Sequence, residues 1–81
     1  MIAADKQTRQ LLAAVRKDLI RFTRDLITIP SSSGTEGAVI DRIREEMEKL
    51  GYHRVETDDL GNLIGTLGQG PRVIALDGHC D

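Results

Sequence analysis

Four consecutive apolar residues near the end of the chain, Val73-Ile74-Ala75-Leu76, constrain the fold more than any other feature of the sequence. Turn chemistry precedes them in Gly68-Gln69-Gly70-Pro71, and Asp77-Gly78 follows. A strand that is apolar on both faces must be covered on both faces, which calls for neighbouring strands and helices on each side. The run therefore predicts an α/β layer. Two helices upstream supply cover for one face, and no segment of the 81 residues supplies the other. The expectation is an exposed apolar edge, and an isolated chain that is partly folded or prone to aggregate.

The upstream residues follow a helical period. Leu12, Val15, Leu19, Phe22, Leu26 and Ile29 recur at steps of three and four, one face of a helix over about Asp5 to Ile29. Arg16, Lys17, Arg21, Arg24 and Asp25 occupy the other positions. Pro30 disfavours helical geometry at Ile29 and ends the helix there. The stripe fits a coiled-coil seam for about two and a half heptads, short of the three or four that would favour one, so it reads as a core face.

Ser31 to Gly34 form a turn, and Ser33 with Glu36 has the spacing of a capping box, with Thr35 as a competing N-cap. The second helix is expected from Thr35 to Leu50, with Ile40, Ile43, Met47 and Leu50 as its apolar stripe and Gly51 closing it. Glu45 and Lys49 form an acid-then-base pair one turn apart. Beyond Gly51 the period falls to two. Tyr52 with Arg54-Val55-Glu56-Thr57, and Leu63 to Leu67, read as strands about the turn Asp58-Asp59-Leu60-Gly61-Asn62. Gly65, Gly68 and Gly70 match neither phosphate-binding glycine pattern and read as turn glycines. The predicted order is helix, helix, strand, strand, strand.

At 81 residues the chain is at most one small domain, just above the size of about 70–80 residues where one core becomes marginal. Its net charge of −2 and its two aromatic residues, Phe22 and Tyr52, argue against nucleic acid as a partner. No apolar run is long enough to span a membrane, and the N-terminus lacks the pattern of a secretory signal. One cysteine, Cys80, cannot form an internal disulfide, and a cytoplasmic location is expected.

Chemistry concentrates after the apolar run, in His79-Cys80-Asp81. Strand C-termini are where open α/β sheets gather ligands, and histidine is the commonest zinc ligand. Asp81 could fix the tautomer of His79 or bind metal itself. Alone, His-x-Asp marks a surface or core histidine more often than a ligand. Rival patterns fail: Asp77 stands where a His-x-His motif needs histidine, and Cys80 stands where a kinase loop needs arginine. His53 has no motif around it and reads as a surface residue, Cys80 as a packing residue, and Glu45 and Glu46 as members of a solvated helix face.

Five stretches together resemble the start of a known family. They are Phe22-Thr23-Arg24-Asp25-Leu26-Ile27-Thr28-Ile29-Pro30-Ser31, Ser33-Gly34-Thr35-Glu36-Gly37, Leu50-Gly51-Tyr52, Asp59-Leu60-Gly61-Asn62-Leu63-Ile64-Gly65, and Ile74-Ala75-Leu76-Asp77-Gly78-His79-Cys80-Asp81. In this order the chain resembles the dinuclear zinc amidohydrolases and peptidases, which include aminoacylase, acetylornithine deacetylase, succinyl-diaminopimelate desuccinylase and the glutamate carboxypeptidases. Its wording is closest to the branch linked to selenium metabolism.

The resemblance implies that residues 1–81 are the N-terminal part of an α/β zinc-hydrolase catalytic domain, cut at its first metal motif. It implies two zinc ions, with cobalt or manganese as substitutes, and hydrolysis of the amide or peptide bond of a small peptide or N-acyl amino-acid-like substrate. His79 would bind one zinc and Asp81 would orient His79. The general base and the other ligands would lie beyond Asp81, so the 81 residues alone are expected to be inactive and without a tight zinc site. A homodimer is compatible with the full-length protein. A non-enzymatic helical interaction module and a different metal-dependent α/β enzyme are the alternatives.

Overall fold

The computed structural model describes residues 5–32, 34 and 36–80. Their order is α1 (Lys6–Thr28), α2 (Gly37–Lys49), β1 (Arg54–Thr57) and β2 (Leu63–Thr66). The mixed helix and strand content agrees with the sequence. The number of strands does not: two strands form one antiparallel sheet, and 73–76 is not a strand.

Local chemistry sets the start of α1. The Asp5 carboxylate accepts a hydrogen bond from the Thr8 amide at 2.7 Å, filling one of the orphan donors of the first turn. Ile29, ahead of Pro30, leaves helical geometry at φ −89° and ψ 124°, as a residue before proline should. The apolar stripe is real but only its C-terminal part is used. Phe22, Leu26 and Ile29 are half-buried, whereas Leu12, Val15 and Leu19 are each at least half exposed. Among the described elements α1 packs on α2 alone.

The helix α2 is shorter than expected at its N-terminal end. Ser33 and Thr35, the two candidate caps, lie outside the described residues. Glu36 takes the N-cap position without capping through its side chain, and instead accepts from the Gly34 amide at 3.1 Å. The C-terminal end matches the sequence. The Tyr52 amide donates to the Met47 carbonyl and the Gly51 amide to the Glu48 carbonyl, both at 3.1 Å, with Gly51 at φ +80°. This paired closure is the Schellman motif, and it needs a residue that tolerates positive φ.

In the hairpin, Arg54 faces Thr66, Val55 faces Gly65, Glu56 faces Ile64 and Thr57 faces Leu63. The Gly61 amide donates to the Asp58 carbonyl at 3.2 Å and Gly61 has φ +87°, the pattern of a three-residue loop with a left-handed third position. Gly65 is not a turn residue. A Cβ there would stand 2.7 Å from Met47 Sδ and from two ring carbons of Tyr52, so the strand backbone lies directly against these side chains. That contact docks the sheet on α2. Among the described residues only Val39 and Glu46 are buried, so the centre of the fold is α2, with α1 on one side and the hairpin on the other.

Candidate functional site

After β2 the chain runs from Leu67 to Cys80 without helix or strand. Gly68 and Gly70 have positive φ, the turn role expected of them. Val73, Ile74 and Leu76 are 88–96% exposed. A strand is stable only as one member of a ladder, and this segment has no partner strand among the described residues. The strand expected here is therefore not formed, and its apolar side chains lie uncovered among the described residues.

His79 lies at the end of this segment and is exposed, as is Asp77, while Cys80 is half-buried and a free thiol. Asp81, expected to orient His79, lies outside the described residues. Among the described residues no three His, Cys, Asp or Glu side chains gather into a group able to hold a metal ion. A zinc centre takes about three protein ligands, so His79 with its sequence neighbours is a donor of the right type in too small a set.

The best-built polar cluster joins the two helices. Arg42 donates from Nε and Nη2 to the Asp25 carboxylate, at 3.2 and 2.9 Å, and from Nη1 to the Glu46 carboxylate at 3.0 Å. Its guanidinium carbon stands 5.0 Å from the centre of the Phe22 ring, within cation–π range. The hydrogen bonds to Asp25 and then Glu46 raise the Arg42 pKa further, so this residue is a fixed cation. The sequence reading placed Glu46 on a solvated face; it is buried beside Arg42. The signal was available in two parts: Val39 and Glu46 share a face seven residues apart, and Arg42 and Glu46 are one turn apart. The cluster ties Asp25 of α1 and Glu46 of α2 through one guanidinium, and so joins the two helices.

A second ordered group is the hairpin loop. Asp58 Oδ1 accepts from the amides of Leu60 and Asn62, and Oδ2 from the Asn62 side-chain amide, all at 2.9 Å. The Asn62 side chain, then its backbone amide, lower the Asp58 pKa. Near the same sheet, His53 is exposed as expected, and its Nε2 lies 3.3 Å from the Gln69 side-chain nitrogen. No described helix is long and apolar enough to cross a membrane.

No family model matches this chain, and no solved structure does. Three curated proteins illustrate what it is similar to. YgeY, an uncharacterized protein of Escherichia coli, is 52% identical over 64 residues, covering 79% of this chain and 16% of YgeY. A LysW-lysine hydrolase of Deinococcus radiodurans is 38% identical over 69 residues, 85% of this chain and 18% of the relative. A putative LysW-lysine/LysW-ornithine hydrolase of Pyrococcus abyssi is 36% identical over 67 residues, 82% and 19% respectively. The chain thus spans 16–19% of the length of the curated relatives it matches, and two of these three are named as hydrolases.

Proposed function

We propose that this chain belongs to the catalytic domain of a hydrolase that cleaves an amide bond in a small N-acyl amino-acid-like or peptide substrate. The observation that carries this reading is the match of 82–85% of the chain to proteins named LysW-lysine and LysW-ornithine hydrolases. In this reading, His79 would offer a neutral ring nitrogen to a zinc ion, and Asp81 would accept the hydrogen bond of the other ring nitrogen and so fix the tautomer. Zinc in such a site supplies a Lewis acid and lowers the pKa of bound water.

The test is an assay of the whole protein, with lysine and ornithine conjugates as the first substrates. We expect hydrolysis that a chelator abolishes and zinc restores. His79→Ala should remove it, and Asp81→Asn should weaken metal affinity or activity by about 10–100-fold. Whole protein that hydrolyses no amide would refute the function. Activity indifferent to chelation and to His79→Ala would refute the metal role and leave the hydrolase reading standing.

A further inference from the structure

We draw no further inference here: the strongest candidate, the apolar surface patch along the N-terminal half of α1 where Leu12, Val15 and Leu19 stand at least half exposed, is an unpartnered face in a chain that spans 16–19% of its relatives' length, and nothing in the structure shows what covers it.

Discussion

Gly65 shows how much one missing methyl group decides. Its backbone touches Met47 and the Tyr52 ring so closely that a Cβ would meet three heavy atoms at 2.7 Å. The Met47 thioether can move aside, but Tyr52 is held at its backbone amide by the helix closure and its planar ring lies against Gly65. Gly65→Ala should therefore destabilise the fold by about 1–3 kcal/mol, the usual cost of overpacking, with Gly65→Val worse. Denaturant unfolding of the two variants checks this, and an alanine variant as stable as the parent would show that the hairpin can lift from α2 at no cost. Nothing in the sequence announced the role. A glycine inside an alternating segment signals a bulge, a turn or a close approach with equal force, and only the docking of α2 selects among them. Glu46 taught the same lesson from the polar side, since a charged residue on a helix is solvated unless a partner such as Arg42 accompanies it inward.

At the scale of the elements, the hairpin loop depends on protonation. Asp58 accepts three hydrogen bonds as a carboxylate, and its pKa lies below the ordinary 3.8. A lowered folded-state pKa contributes stability that is present above 3.8 and is lost as the pH falls through the folded value. An NMR titration should place the Asp58 midpoint below 3.8, with the Leu60 and Asn62 amide shifts following it. A midpoint at or above that value would mean the loop hydrogen bonds are not formed in solution. Asp58→Asn should remove the share of the pH dependence that this loop contributes. Elements with local signals were legible. The Gly51 closure, the Gly61 turn, the end of α1 before Pro30 and the period-two hairpin all follow from chemistry within a few residues. The third strand expected at 73–76 is not formed, because pairing is set by residues far away in sequence, and an apolar run states a need for neighbours without providing any. The candidate site shares that limit. His79 was identifiable as a donor by type and position, while the donors that would complete a centre are not a property of the residues around it.

As a whole, the molecule is looser than its length suggests. Its radius of gyration is 14.7 Å, against about 12 Å for a compact domain of this size. The N-terminal part of α1 and the segment after β2 both leave large apolar side chains in water. Exposed backbone outside regular structure is where proteases cut first. Arg72 is the only lysine or arginine beyond Arg54, and it lies in that segment. Limited trypsin treatment should therefore cleave after Arg72 before any site in α2, and Arg42, enclosed by Asp25, Glu46 and Phe22, should be among the last. Early cleavage at Arg42 would mean that the two helices do not stay together in solution.

The anchoring of α1 carries one more consequence. Its 23 residues make a rod of about 35 Å, gripped near one end by the Arg42 contact with Asp25 and Phe22 and capped by Asp5 at the other. Mechanically this is a cantilever. A small rotation at the grip is magnified at the tip, so the contact of Arg42 with Asp25 and Phe22 sets the direction of the whole rod relative to α2.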